Sequence, residues 1–552
     1  MDLDLRAILE DTGRLFARFG DEAYYIVLCV RSGLIGVELP HRVALMLRAF
    51  DRFGTLGGAV SVASIRGGGR IGLVDELGSL TFRELDRRSN ALANAWREHG
   101  LEPGEGVTIL ARNHRGFLDA VFAAAKCGAR IVLLNADFTG PQIRRIAARE
   151  GTDLLVYDDE YAKLLKGVEP RRGRWRAWAE RGGEETIEGL IGSQPTSAPP
   201  KPGVSPRIVI PASRDAGRTR SSTDRSERRR WHDLGGLLSR VPLRGHEVTE
   251  CCLPMCDPLG FAHAMLAVGL GSTLVLRRRF DPAATLESLD RNQATALIVV
   301  PVMLRRMLDL GEEARSDLDL GALRIVLVAG SQLGAELCRR TVEAVGPVLY
   351  NLYGSTEATC ATIATPADLA AEPACVGTVV RGSAVKVLDE RGEELLPGHT
   401  GRIFVGSSAQ LEANPSGATN GTGRSPGGLI ASGDVGHFDA EGRLFVDGRA
   451  DETIVSGEMS VFPAEIEELL AGHAAIEEAA AIGVPDHELG QRLRAFVVVR
   501  EGSSMTEQEV KQYVGEKLAD YKCPRDVIFL AELPRGPAGK VLRRELERLP
   551  VG

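Results

Sequence analysis

No apolar run in this 552-residue chain reaches the roughly 18–20 residues that a membrane-spanning helix needs. The best candidate, Ala23 to Val30, stops at Arg31. The start, Met1-Asp2-Leu3-Asp4, lacks a basic stretch followed by an apolar one, so a signal peptide is not expected. Positive charge is not in excess either. Sixty-seven Lys+Arg stand against 75 Asp+Glu, a net charge of -8, which excludes a global basic field for nucleic acid. The nine cysteines include no CxxC pair, and only Cys251, Cys252 and Cys256 cluster. That excludes a zinc ribbon or a disulfide framework and reads as reduced thiols in a cytoplasmic protein. No internal repeat of 20–50 residues is visible, which excludes solenoids and propellers.

What is present is an ordinary globular mixture, 44% apolar and 26% charged, long enough for two or three domains. Glu22 to Phe50 can form amphipathic helices, read here as a helical cap on the first domain, with peripheral membrane contact at most. From about residue 80, short β-branched runs alternate with helical stretches. Val107–Ala111, Ile131–Leu134 and Leu154–Tyr157 read as strands, and Arg115–Lys126 and Gln142–Arg149 as helices. The alternation resumes at Ile208–Ile210, Thr273–Leu276, Leu297–Val300 and Ile325–Val328. This predicts a largely parallel α/β sheet covered by helices. Lys166–Pro206 and Glu412–Gly428 read as connecting and loop structure. Near residue 450 the texture becomes α+β. Thr506 and Glu509 form a capping-box pattern, followed by Val510, Tyr513, Val514, Leu518 and Tyr521 at helical spacing. Ala495–Val499 and Val527–Leu530 read as strands.

Two motif matches mislead. Gly67-Gly68-Gly69-Arg70-Ile71-Gly72 fits GxGxxG, but Ile71 to Asp75 reads as a strand where a dinucleotide fingerprint needs a helix. Gly423-Arg424-Ser425-Pro426-Gly427 fits GxSxG, but it lies in a Gly/Pro loop and not at a strand-to-helix turn.

Four elements of the second half belong together: Asn351-Leu352-Tyr353-Gly354-Ser355-Thr356-Glu357; Ser432 to Asp439 (SGDVGHFD); Asp447-Gly448-Arg449-Ala450-Asp451 leading to Val461 to Glu467; and Leu533 to Leu546, with Gly539-Lys540 at its centre. In this order and spacing the chain resembles the adenylate-forming (AMP-binding) superfamily, and more closely the actinobacterial fatty acyl-CoA synthetases. The resemblance extends to Gly78–Leu85, Arg112–Phe117 and Gly271–Leu276. It implies a large multi-layer α/β amino-terminal domain with βα sheets (residues 1–449, of which 1–75 are a helical extension), a hinge at 450–452, and a small mobile α+β carboxy-terminal domain at 453–552.

The implied activity is that of an acid-thiol ligase of the long-chain fatty acid–CoA type. A carboxylate attacks the α-phosphorus of ATP, pyrophosphate leaves, and the thiol of CoA then displaces AMP. By resemblance Glu357 is the Mg²⁺ ligand, Thr356 a phosphate contact, and Tyr353 stacks on adenine beside Gly354 and Ser355. Asp434 accepts from the ribose hydroxyls with Arg449 beside it. Ser213, Gly217 and Arg220 belong to the phosphate loop, Lys540 reaches the carboxylate and α-phosphate, and Asp451 is the hinge. ATP, Mg²⁺ and CoA are the implied cofactors, with fatty acid and CoA as small-molecule partners and no nucleic acid.

Three segments depart from the family's pattern. The Gly/Ser/Thr-rich phosphate loop ending in Pro-Lys-Gly becomes Ser213-Arg214-Asp215-Ala216-Gly217-Arg218-Thr219-Arg220-Ser221, adding bulk and a negative charge where backbone N–H groups must approach an anion. Phe-His becomes Cys256-Asp257. Ser-Gly-Gly-Glu-Asn becomes Ser456-Gly457-Glu458-Met459-Ser460, with Glu458 on the implied thiol path. Two alternatives follow: a catalytically impaired paralogue that binds a ligand or partner, or an acyl-adenylating enzyme that does not use CoA. The run Arg214, Arg218, Arg220, Arg225, Arg228, Arg229 and Arg230 reads as a solvated segment, because only Trp231 offers a stacking surface.

Overall fold

The computed structural model describes residues 24–36, 38–136, 138–179, 185–211, 227–354, 360–407, 428–450, 452, 454–456, 459–486, 490–536 and 539–549. They fall into two compact units, Met1–Ile298 with Leu318–Arg324, and Val299–Asp317 with Ile325–Gly552.

The described part of the first unit opens with helical residues 24–31 and the helix Pro40–Gly67, which bends at Gly54 (φ 67°). A straight helix would hold Pro40 and Arg66 about 39 Å apart. Arg66 instead reaches back to Glu38 and to the Gly33 carbonyl, so the two arms fold onto each other. β1 (Ile71–Asp75) and β2 (Gly78–Thr81) form an antiparallel hairpin. Thr81 then opens the helix Phe82–Glu98 through a reciprocal capping box with Glu84. β3 (Gly106–Leu110), β4 (Arg130–Leu133), β5 (Thr152–Asp158), β6 (Arg174–Trp178) and β7 (Arg207–Val209) make an all-parallel sheet in the order β6-β5-β3-β4-β7. Every residue of β3 is buried, which explains its continuous apolar sequence. β8 (Val248–Cys251), β9 (Thr273–Val275) and β10 (Ala296–Val299) run parallel to one another and to β1, in the order β10-β8-β9-β1-β2.

The helix Arg115–Lys126 is buried from Gly116 to Lys126. Lys126, wholly buried, donates to Asp86, Ser89 and Asn90 of the neighbouring helix, so the buried ammonium is satisfied.

In the second unit, β11 (Ile325–Ala329) and β12 (Leu349–Tyr353) are parallel, and β13 (Thr362–Ala364) and β14 (Thr378–Val379) continue antiparallel. β15 (Ser383–Leu388), β16 (Gly401–Ser407), β17 (Ile430–Phe438) and β18 (Leu444–Arg449) form an antiparallel meander. Beyond it, β19 (Ile454–Ser456), β20 (Met459–Val461), β21 (Ile476–Asp486), β22 (Gly490–Val499) and β23 (Asp526–Phe529) make a third sheet, with the helices Pro463–Ala471 and Glu507–Gly515 sharing its core of Ile454, Ile466, Leu470, Ala495, Val510 and Val514.

Most expected elements appear within two or three residues of their expected bounds, and the Thr506–Glu509 box is formed. Ile71–Asp75 is a strand, so the GxGxxG match is followed by no helix. Three readings change. Lys166–Pro206 is not only connection, because it holds β6 and the helix Ile187–Ser193. Ala495–Val499 is only the second half of β22, and Leu518 and Tyr521 both lie past the end of the helix Glu507–Gly515, Tyr521 39% exposed. β6 reads Arg174-Trp175-Arg176-Ala177-Trp178 and owes its place to ring contacts, with Trp175 edge-on to His99 at 5.0 Å and Arg278 stacked 4.2 Å over Trp178.

Candidate active site

The site is built on the β17–β18 hairpin and the carboxyl end of β12. The turn Asp439–Arg443 is fixed by Asp439, whose Oδ1 accepts from the backbone N–H groups of Glu441 (3.1 Å) and Arg443 (2.8 Å). That turn sets the register that places Asp434 opposite Arg449. Arg449 Nη1 donates to Asp434 Oδ1 at 3.1 Å and to the Ser432 carbonyl at 3.4 Å, and the backbone N–H of Asp434 donates to Ser432 Oγ at 3.1 Å. Gly433 (φ 85°) lies between them. A Cβ there would stand 2.9 Å from Arg449 Nη2, so glycine is needed both for its conformation and for the guanidinium's place. Among the described residues the last cross-strand bond of the hairpin runs from Ala450 N–H to the Gly433 carbonyl, 2.9 Å.

Tyr353 closes the arrangement from β12, donating its hydroxyl to Asp434 Oδ2 at 2.6 Å. Burial, and then the Asp434 carboxylate beside it, push the phenol's pKa up, so it stays a donor. Among the described residues each carboxylate oxygen thus takes one side-chain donor. A carboxylate has about four acceptor positions, so capacity remains for hydroxyl donors of a ribose, and the residues present fit a nucleotide.

Lys540 lies on a separate turn of the same unit, closed by the Arg535–Val541 bridge, by Gly536 N–H to the Lys540 carbonyl (2.9 Å) and by Arg535 Nη1 to the Gly539 carbonyl (2.6 Å). Its side chain is exposed. Next to it, Gly539 approaches the start of the helix Pro301–Asp309 so closely that a Cβ would lie 2.5 Å from Val302 Cγ1. The surrounding contacts are polar. Arg535 pairs with Glu478 (3.1 Å), Arg305 donates to the Glu477 carbonyl (3.3 Å), and Glu468 accepts from Ala335 N–H at the start of the helix Ala335–Val345 (2.9 Å).

Of the expected site residues, the structure brings together Tyr353, Asp434 and Arg449, and sets Gly354 at the exposed end of β12. Ser355, Thr356, Glu357, Ser213, Gly217, Arg220 and Asp451 lie outside the described residues, as do Arg214, Asp215 and Glu458. Among the described residues no group of three or more His, Cys, Asp or Glu side chains could hold a metal ion.

Asp257 proves to be the N-cap of the helix Pro258–Leu270, its Oδ1 accepting from Leu259 N–H at 2.9 Å. His263, one turn on, is buried and donates through Nδ1 to the Leu259 carbonyl at 2.8 Å; burial lowers its pKa, and Nε2 has no partner among the described residues. Asn113 is a tie that sequence reasoning did not anticipate. Its Nδ2 donates to the Leu253 carbonyl (2.7 Å) and its Oδ1 accepts from Met255 N–H (2.8 Å), so it holds the segment before Asp257 against the end of β3. Beside it, His114 donates Nε2–H to Asp158 Oδ1 at 2.9 Å, its Nδ1 being occupied by Gly116 N–H. Arg112, Arg278 and Arg279 converge on Glu160; bonding from Arg112 first, and then from Arg279, lowers that carboxyl's pKa to about 2.

The architecture is α/β, with a hairpin-borne Tyr–Asp–Arg cluster and a second, lysine-bearing turn. Residues 63–215 and 230–412 match the family model described as AMP-binding enzyme, and residues 465–540 match the AMP-binding enzyme C-terminal domain. The chain belongs to the AMP-binding enzyme family, whose members are adenylate-forming acyl and CoA ligases.

It is 28% identical to an indoleacetate–CoA ligase of Aromatoleum aromaticum, over 85% of this chain and 93% of that one. It is also 28% identical to the fatty acid–[acyl-carrier-protein] ligase ScoC of Streptomyces coeruleorubidus, over 85% and 91%. Among solved structures it is similar to the amide bond synthetase McbA of Marinactinospora thermotolerans (TM-score 0.75, 26% identity, 89% of this chain and 99% of that one). The anthranilate CoA ligase AuaEII shares the fold (TM-score 0.77, 22% identity, 90% and 98%).

Proposed function

We propose that this chain is an ATP-dependent fatty acyl-CoA synthetase. The observation that carries the reading is the joint presence, in one compact unit, of the Tyr353–Asp434–Arg449 grip and the Lys540 turn seated against Val302. Asp434 accepts from the ribose hydroxyls while Tyr353 and Arg449 hold its carboxylate in place. Lys540 offsets charge as the acid's carboxylate oxygen bonds to the α-phosphorus and pyrophosphate leaves. The small domain then turns about Asp451, and the thiol sulfur of CoA attacks the acyl carbonyl carbon, releasing AMP. Thr356 and Glu357 complete the phosphate side, with Glu357 as the Mg²⁺ ligand. The preference for a fatty acid rests on the motif resemblance and on the relative whose name gives a fatty acid.

A second reading is an acyl-adenylating enzyme with a different acceptor. Glu458, standing where the resembled family has glycine, favours it, as do relatives named as a carrier-protein ligase and an amide bond synthetase. Pyrophosphate–ATP exchange across acids of increasing chain length, followed by thioester assay with CoA, tests both. Exchange with fatty acids and thioester formation support the first reading, and exchange without thioester supports the second. Absence of exchange with every acid overturns both and leaves an impaired paralogue.

A further inference from the structure

The amino-terminal helices are apolar on the side that faces water. Among the described residues, nine of the seventeen exposed large apolar side chains fall between Ile26 and Phe50. Helical residues 24–31 pack through Tyr25 and Cys29, and expose Ile26, Val27 and Val30. The first arm of Pro40–Gly67 packs through Met46, Ala49 and Phe53. Leu39, Val43, Leu47 and Phe50 recur at helical spacing as a separate stripe, and Leu39 and Leu47 are 59% and 64% exposed. Single exposed apolar residues are ordinary, whereas periodic stripes on two successive helices mark a contact surface.

The charge around these stripes is positive on the outside. Arg31 and Arg48 are exposed. The two carboxylates of the segment are already engaged, Glu38 with Arg66 and Arg42, and Asp51 with Lys201. Arg66 also donates to the Gly33 and Leu34 carbonyls, which fastens the connecting loop to the body of the unit. The apolar face is therefore presented by anchored helices. Neither arm can cross a bilayer: no described helix is long and apolar enough, and the arm from Pro40 to Phe53 spans only about 21 Å.

We propose that residues 26–50 seat the protein on an anionic lipid surface, with Ile26, Val27, Val30, Leu39, Val43 and Leu47 among the acyl chains and Arg31 and Arg48 at the phosphate level. Interleaved arginines and apolar side chains on short, surface-parallel helices are the signature of interfacial binding, and anionic headgroups complement the outward charge. A second copy of this chain would bring the same arginines face to face. This inference does not depend on which acid is activated.

The test is flotation of the full chain with phosphatidylcholine vesicles, with and without about one-third phosphatidylserine. Binding to the anionic vesicles is expected. It should fall about tenfold or more in L39S/V43S/L47S, and similarly in R31E/R48E. Leu396→Ser, at a 74% exposed apolar position in the other unit, should bind like the parent. The substituted positions are exposed, so unchanged thermal unfolding is expected and checks that folding is intact. Failure of the parent to float, or parent-like binding by L39S/V43S/L47S, overturns the proposal. So does a dimer in light scattering that L39S/V43S/L47S dissociates without any vesicle binding in the parent.

Discussion

The hydroxyl of Tyr353 donates to Oδ2 of Asp434 at 2.6 Å, across 81 residues of chain, and Arg449 takes the other oxygen. This makes the two residues unequal in effect. Asp434→Ala takes away the carboxylate that Tyr353 and Arg449 both bond, and with it the proposed ribose contact, so the KM for ATP in pyrophosphate exchange should rise by roughly 100-fold. Tyr353→Phe removes one donor and keeps the ring, so about tenfold or less is expected. Equal losses in the two variants would argue against Asp434 as the ribose acceptor.

Lys540 is exposed on a turn held by its own backbone bonds, so its replacement should not disturb folding. Lys540→Ala should lower acyl-adenylate formation by roughly 100-fold or more, as expected when a charge acting at the transition state is lost. Thioester formation from supplied acyl-adenylate should change little. Single-turnover measurement of each half-reaction decides it, and matching losses in both would remove the separate role given to this lysine.

Asn113 satisfies a buried carbonyl and a buried N–H at once. Asn113→Ala leaves both unpaired and should destabilise the first unit by about 2–4 kcal/mol. Urea unfolding followed by tryptophan fluorescence reads this, since all four tryptophans (Trp96, Trp175, Trp178 and Trp231) lie in that unit. A loss under half of that range would mean that water replaces the side chain.

Burial of Glu250 in β8 pushes its carboxyl up to about 7, even though Ser288 Oγ donates to it at 2.6 Å. The folded form therefore holds the proton more tightly than the unfolded chain, whose value is about 4.3. The associated stability is fully present below about pH 4.3 and is lost as pH rises through about 7. Glu250→Gln keeps an acceptor for Ser288 and removes the titration. Between about pH 5 and pH 8 the variant should gain roughly 2–3 kcal/mol relative to the parent. Thermal unfolding of both across that range measures it, and parallel pH profiles would show that the carboxyl titrates normally.

Strands with continuous burial were legible in the sequence because every residue of β3 reports the same environment, and the Thr506–Glu509 box was legible because capping is local. β6 was not, because alternating arginine and tryptophan carries no core-facing run and its partners, His99 and Arg278, come from distant segments. Asp257 shows the limit differently. Set beside the family pattern it looks like a missing histidine, whereas Asp257-Pro258 is an ordinary helix start and the carboxylate serves there. Of the site, the residue types at Tyr353, Asp434 and Arg449 were legible from motif spacing. Their mutual bonding was not, because it depends on the register of β17 with β18 and on where β12 ends.

The bond from Ala450 to Gly433 is the final rung of the β17–β18 ladder among the described residues, and the proposed pivot, Asp451, is the next residue in the sequence. Torque from the small domain would then be delivered to the free end of the ribbon and not across it. A turn there need not unzip any described rung, so the proposed clamp on the ribose would keep its shape while the lysine turn swings away. One nucleotide could stay seated through both half-reactions, and only its departure would require the ribbon's own side chains to let go.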